Sequence, residues 1–290
     1  MERNRLHHLG WLGGIEVFEA RFDTHRFPRH AHEGFAIGAI LDGVGGYTCR
    51  GERKVLPPGR LSLMNPEEPH TGEALDGSLR YVMVYADEPA VRRTLDLRSL
   101  PGFAEVTPAD DGRVLGRALT RLAARLGTAH TPRTDAQADP LAIEEAVQAV
   151  LSLAFALHGR ARLRPPGREP SAVRRVRAAI EAHAPGDPPL SLASLAGLVS
   201  LHPNYLMRVF TRTCGLSPYA WHIRHRVQRA KAAMLDGAPI AEAAQMAGFC
   251  DQAHLTRQFR RQYGATPGRL VAHGPRIGVD RDRSCKAGGG

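Results

Sequence analysis

The chain has 290 residues, of which 43% are hydrophobic, enough for two ordinary domains with separate cores and too apolar for a disordered chain. No run of about 18 apolar residues stands out and MERNRLHHLGWLGG lacks a signal-peptide core, so neither a membrane span nor a secreted form is expected. The formal net charge of +10 is lopsided: residues 1–170 carry 22 basic and 22 acidic side chains, residues 171–290 carry 17 and 7, which points to a polyanionic partner for the C-terminal part alone.

The first element is a set of short strand-like runs between about 15 and 86: IEVFEARF, GFAIGAIL, GYTCR, RLSLM and LRYVMVYA. Asp42-Gly43, Gly45-Gly46 and Pro57-Pro58-Gly59 punctuate them, the pattern of a small barrel or sandwich. From about Asp111 the period changes. Leu115, Leu119, Leu122 and Leu126 recur at helical spacing with Arg117, Arg121 and Arg125 between them. Two readings stay open for this leucine face, a homodimer contact or packing on the chain's own barrel. Pro140 then leads into a mostly buried helix, LAIEEAVQAVLSLAFALHG, ended by Gly159. Residues 161–170, with two adjacent prolines and a glycine, read as a linker. The cysteines Cys49, Cys214, Cys250 and Cys285 are scattered without a CxxC pair, which suits a reducing cytoplasm.

Residues 171–273 are expected to be all-helical. Ser171 can cap a first helix with Val173, Val176 and Ile180 on its buried stripe, and Ser191 can cap LASLAGLV. A short turn leads to Pro203 and the helix NYLMRVFTRT, so two helices meet as a helix-turn-helix. The design then repeats at a constant shift of 49: Leu206, Arg208, Phe210, Arg212, Gly215, Ser217 and Pro218 recur as Leu255, Arg257, Phe259, Arg261, Gly264, Thr266 and Pro267. Leu and Phe four apart anchor one helix face, Gly supplies a left-handed stop, and Ser/Thr-Pro starts the next element. IAEAAQMAGF gives the second unit its supporting helix, and Asp251 can cap its reader. SPYAWHIRHRVQRAKAAML, between the copies, reads as one helix of about five turns that would hold two readers at a fixed separation. Residues 274–290 read as a disordered tail.

These motifs, above all GFCDQAHLTRQFRRQYGATP, closely resemble the DNA-binding domain of the AraC/XylS family of bacterial transcription regulators. The resemblance implies that Asn204, Met207 and Arg208 face the major groove from the first reader, and Gln252, Ala253, His254, Thr256 and Arg257 from the second. Arg can read guanine bidentately, and Gln or Asn can read adenine. His202 departs from the Ser or Thr often found as the recognition-helix cap.

FPRHAHEGFAIGAILDGVGGY and GERKVLPPGRLSLMNPEEPHTG resemble the cupin-like sensor of the same family, which implies a β-barrel over residues 1–160 with accessory helices and an effector in its mouth. His30, His32, Tyr47, His70 and Tyr81 are its expected pocket residues. A metal-binding cupin would add a carboxylate after the second histidine, where Ala36 and Ile37 stand. Three histidines could still bind Zn²⁺, line an effector pocket or serve structure alone. No cofactor, no metal and no catalytic residue are assigned. The expected partners are operator or promoter double-stranded DNA, a small-molecule effector, a second copy of the chain and, as a candidate, RNA polymerase. The competing readings are a cupin metalloenzyme fused to a DNA-binding domain, and a barrel that only dimerises.

Overall fold

The computed structural model describes residues 4–110, 112–127 and 139–271, so the expected tail at 274–290 lies outside them. The chain forms two compact units, residues 1–183 with 188–221, and residues 184–187 with 222–290.

The first unit begins with nine strands in two antiparallel sheets: β1 (Arg5–Leu9), β2 (Ile15–Phe22), β3 (Arg26–His30), β4 (Phe35–Asp42), β5 (Gly45–Cys49), β6 (Glu52–Leu56), β7 (Leu61–Met64), β8 (His70–Ala74) and β9 (Leu79–Ala86). One sheet has the order β1-β2-β9-β4-β7, the other β3-β8-β5-β6. Period-two alternation divides the larger sheet between two cores. On β9, Tyr81, Met83 and Tyr85 belong to the core inside the barrel, with Ala36 and Ile40 of β4 and Tyr47 of β5. Val82 and Val84 face the other way, into a core shared with helices α1 (Glu88–Leu95), α2 (Arg113–Gly127) and α3 (Pro140–Leu157).

That second core settles the leucine face. Leu115, Leu119, Leu122 and Leu126 are all buried there, with Phe155 and Leu151 of α3. The face is covered by the chain's own barrel and α3, so it offers nothing to a second copy. Against the expectation of no membrane span, helix α3 is long and apolar enough to cross a bilayer by length and composition alone. It is the one such helix among the described residues, and it is mostly buried within the protein.

Residues 160–169 form no helix or strand, yet they are tied down rather than loose. The Arg164 guanidinium lies 4.2 Å from the Tyr205 ring centre, Tyr205 Oη accepts from Gly167 N, and Arg212 donates to Pro166 O at 2.6 Å. Helix α4 (Pro170–Ala182) starts one residue before the expected Ser171 cap, with Pro170 opening the first turn and Glu169 in the cap position, its carboxylate accepting from Tyr205 Oη at 3.3 Å rather than from the helix N–H groups. Helices α5 (Leu192–Gly197) and α6 (Pro203–Cys214) follow, and the first turn of α7 (Pro218–Leu235) completes the unit. Val173, Val176, Ile180, Leu195, Leu206 and Phe210 form their core, joined by Leu141 of α3.

The second unit holds the rest of α7, then α8 (Ile240–Met246), α9 (Gln252–Tyr263) and α10 (Pro267–Val271). Val227, Met234, Ala244, Phe249, Leu255 and Phe259 are buried. The repeat is thus structural as well as textual: Leu206 and Phe210 on α6, like Leu255 and Phe259 on α9, are fully buried. Both readers end on a left-handed glycine, Gly215 at φ 70° and Gly264 at φ 75°, whose N–H groups return to Thr211 O and Arg260 O.

Candidate DNA interface and sensor cavity

The two readers start differently. On α9 the Asp251 carboxylate caps the helix by accepting from His254 N. On α6 the cap is His202, whose Nδ1 accepts from Asn204 N at 3.3 Å. A ring nitrogen that accepts at Nδ1 carries its proton at Nε2, and that N–H donates to the Arg93 carbonyl at the end of α1, 2.8 Å away. The histidine therefore does two jobs that a Ser or Thr cap is too short to combine.

Of the eight residues expected at the groove, Gln252, Ala253 and Arg257 are exposed on α9. Thr256 is half-buried, as are Met207 and Arg208 on α6. His254 is half-buried as well, and Asn204 alone is fully buried. His254 sits against the Phe249 ring, with Nδ1 3.2 Å from Cys250 Sγ, and burial together with the Arg226 and Arg257 charges pushes its pKa down to about 4. In this conformation it braces the start of the reader. Asn204 is 0% exposed, and its Nδ2 donates to Ser152 Oγ of α3 at 3.0 Å. Arg226 and Arg229 of α7 donate to the Ala247 and Met246 carbonyls at the end of α8, fixing the turn of the second unit.

Inside the barrel a cavity of about 100 Å³ opens between the two sheets. His30, His32, Tyr47, His70 and Tyr81 all line it, so the structure brings together the five residues named from sequence. It adds Ser62, Met83 and Tyr85, which sequence reasoning missed. Met83 and Tyr85 were signalled by period two from Tyr81 on the same strand. His30 and His70 face each other across the β3–β8 pairing. Each holds its ring by Nδ1–H donation to a backbone carbonyl at 2.8 Å, Pro28 O for His30 and Glu68 O for His70. A carbonyl only accepts, so both rings turn a bare Nε2 lone pair away from that bond. Burial, then His70 and His30, push His32 down to about 4, and burial also lowers His70.

One potential ligand atom from each of the three histidines lies within 4.8 Å of the others. Imidazoles whose Nδ1 is tied to a backbone carbonyl, as in His30 and His70, suit a divalent ion, although three nitrogens at zinc bond lengths of about 2.0–2.1 Å would have to draw closer together. Glu73 also lines the cavity, but its carboxylate is paired with Arg26 and Arg53, each at 2.8 Å. Among the described residues, no lysine or arginine lines the cavity. Burial raises the phenols of Tyr47, Tyr81 and Tyr85, the last to about 12, so all three are neutral hydrogen-bonding groups.

A ligand-sized barrel cavity and two helix-turn-helix units define a DNA-binding transcription regulator, and comparison with known proteins agrees. Residues 12–151 match the AraC-like ligand binding domain and residues 195–273 a helix-turn-helix domain. The HTH-type transcriptional regulator YbfI of Bacillus subtilis (strain 168) is 30% identical over 247 residues, 83% of this chain and 86% of that one. The chain belongs to the AraC family of transcription regulators. The arabinose operon regulatory protein of Escherichia coli (strain K12) is 33% identical over 87 residues, 30% of each chain. Among solved structures, a probable AraC family regulator from Rhodopseudomonas palustris CGA009 is 30% identical, with 35% of this chain and 95% of that one covered and a TM-score of 0.32.

Proposed function

We propose that this regulator is effector-responsive and sequence-specific, controlling transcription initiation without catalysing a reaction. It reads DNA through Gln252, Ala253, Thr256 and Arg257 of α9 and, when α6 is free, through Asn204, Met207 and Arg208. The effector is a small molecule in the barrel cavity. One observation carries its chemical class: the cavity offers histidine lone pairs and tyrosine hydroxyls, and no cation among its lining residues. A buried anion without a partner charge is costly, so the pocket suits a neutral or cationic molecule rich in hydrogen-bond donors.

The experiment is a melting screen of neutral polyols, amines and carboxylates against the full chain, with duplex binding measured in parallel. A ligand present at 100 times its Kd stabilises by about 2.7 kcal/mol. Stabilisation by carboxylates alone would overturn the proposed class, and no shift from any compound would favour a barrel that senses nothing.

The histidine cluster favours a second reading, a divalent ion held by His30, His32 and His70. It would supply a Lewis-acidic centre and revive the metalloenzyme alternative. Metal analysis of protein purified without chelator decides it, because that reading requires a stoichiometric ion. A homodimer and contact with RNA polymerase remain part of the proposal. The second copy must use a surface other than the α2 leucines. A chain whose partner is DNA works in the bacterial cytoplasm, at the nucleoid.

A further inference from the structure

Helix α3 belongs to the sensor, yet one edge of it is polar and buried. Glu144, Gln148 and Ser152 lie four residues apart along a single face, with Glu145 beside the first. Such a stripe costs stability in an apolar core unless it is satisfied. Here Glu144, Glu145 and Ser152 are satisfied by the first DNA-reading unit. The Glu144 carboxylate accepts the backbone N–H groups of Leu192 and Ala193 at the start of α5. Glu145 Oε1 accepts Tyr219 N at 2.7 Å. Ser152 Oγ accepts Asn204 Nδ2, and the Arg93 carbonyl accepts His202 Nε2. The Arg125 guanidinium of α2 also lies 4.5 Å from the Tyr219 ring centre.

The fit is incomplete in an informative place. Asn204 Oδ1 and Gln148 Oε1 are buried without a hydrogen-bond partner. A buried polar group left unsatisfied keeps its full desolvation cost, so Asn204 is a poor choice for a permanent interface. The second reader supplies an internal control. Ala253, the repeat mate of Asn204, is exposed, and Arg257 is exposed where its mate Arg208 is half-buried. The covering of the first reader is therefore not a property of the motif. It comes from what lies against α6.

We propose that the structure is a closed state in which the sensor's α3 clasps the first reader through Glu144, Glu145 and Ser152, and that α6 must leave α3, freeing Asn204, before this reader can enter a groove. The inference rests on the assignment of α6 as a DNA reader. In the closed state the Asn204 amide, whose donor and acceptor suit an adenine edge, is spent on Ser152. Asn204 is half-satisfied in the clasp and fully used only in the open state. The local rule it breaks in one state is repaired in the other.

The test uses the full chain and a duplex selected by it from a randomised pool at low salt. Hydrogen exchange is followed at the Leu192 and Tyr219 amides with and without saturating duplex. Exchange at both should speed up by at least about tenfold when duplex is bound, since their acceptors are on α3. Protection that persists in the bound complex overturns the proposal. The second arm is the double variant His202→Ser/Ser152→Ala. Serine still caps α6, while both bonds to the sensor are lost. Two hydrogen bonds of about 0.5–1.5 kcal/mol each predict roughly tenfold tighter duplex binding or more. Unchanged or weaker binding by a variant with the wild-type circular dichroism spectrum overturns it. Binding by the variant alone supports it, and binding by neither chain sinks the DNA-reader assignment together with the clasp.

Discussion

The carboxylate of Glu145 on α3 accepts the backbone N–H of Tyr219 at 2.7 Å, so a sensor side chain caps the start of the helix that follows the first reader. Burial pushes Glu145 up to about 7, opposed by its bonds from Ser217 and Tyr219 and by Arg125, and assisted by Asp139. Glu144 shifts the same way for the same leading cause. A carboxyl with a raised folded pKa holds its proton better folded than unfolded. Its stabilising linkage is complete below about 4.5 and is lost as pH rises through about 7. The docking of α3 on the first reader should therefore loosen between pH 5.5 and 8. Tyr219 amide exchange, corrected for its intrinsic pH dependence, should accelerate over that interval in the wild type. In Glu145→Gln the corrected rate should rise less over that interval, only Glu144 being left to titrate, and a wild-type rate that is flat removes Glu145 as the titrating group.

His32 in the barrel should behave in the opposite sense. His32 is depressed to about 4, first by burial and then by His70 and His30. Between about 4 and 6.5 the unfolded chain binds more protons at this site, so stability present above pH 6.5 is lost as pH falls toward 4. Imidazole resonances followed by NMR in the presence of chelator should show His32 still neutral at pH 5. The melting temperature of His32→Gln should fall less steeply with acid than that of wild type. A His32 titration midpoint near 6.5 would mean that the cavity is wetter than the structure has it.

Leu119 of α2 is fully buried against the barrel and α3. Replacing it with alanine should cost about 2–5 kcal/mol of stability, the range for a core leucine that leaves a partly relaxed cavity. The mass in sedimentation should be that of wild type at every concentration tested. A variant of wild-type stability that has lost a dimer would return α2 to the interface.

What was readable in the sequence follows from how local each feature is. The two readers were legible because capping, the Leu/Phe anchors and the glycine stops act within a dozen residues, and Asp251, Gly215 and Gly264 do what their types require. Five strands were legible by alternation. The strands missed were mainly edges: β1, β3 with Pro28, and β6, whose ERKVL is mostly exposed. Edge strands are kept charged or proline-bearing, which erases the apolar pattern. Strand β8 is internal, but its HTGEA holds a single β-former, Thr71, and no apolar alternation. The clasp was not legible. Nothing local marks Glu144 and Glu145 as ligands of another element, because their partners lie 48 and 74 residues away. His202 looked like a weak cap because its second partner, Arg93, is 109 residues distant.

Arg257 provides the sharpest test of how the second reader works. It lies two residues after Leu255 and two before Phe259, which are both fully buried, so its side chain projects from another face of α9, where it is exposed. An exposed arginine on that face can reach a guanine edge or a phosphate, and the two roles leave different signatures. Loss of a bidentate guanine contact in Arg257→Ala should cost about 1–3 kcal/mol of discrimination at one or two base pairs. Loss of a phosphate contact should weaken all sequences alike and make the log–log salt slope shallower by about one. We expect the first outcome with the fold intact. The measurement is a competition titration of the full chain against single-base variants of a selected duplex, at two salt concentrations. Uniform weakening would make Arg257 a residue that positions the helix on the backbone, and unchanged binding would remove it from the interface.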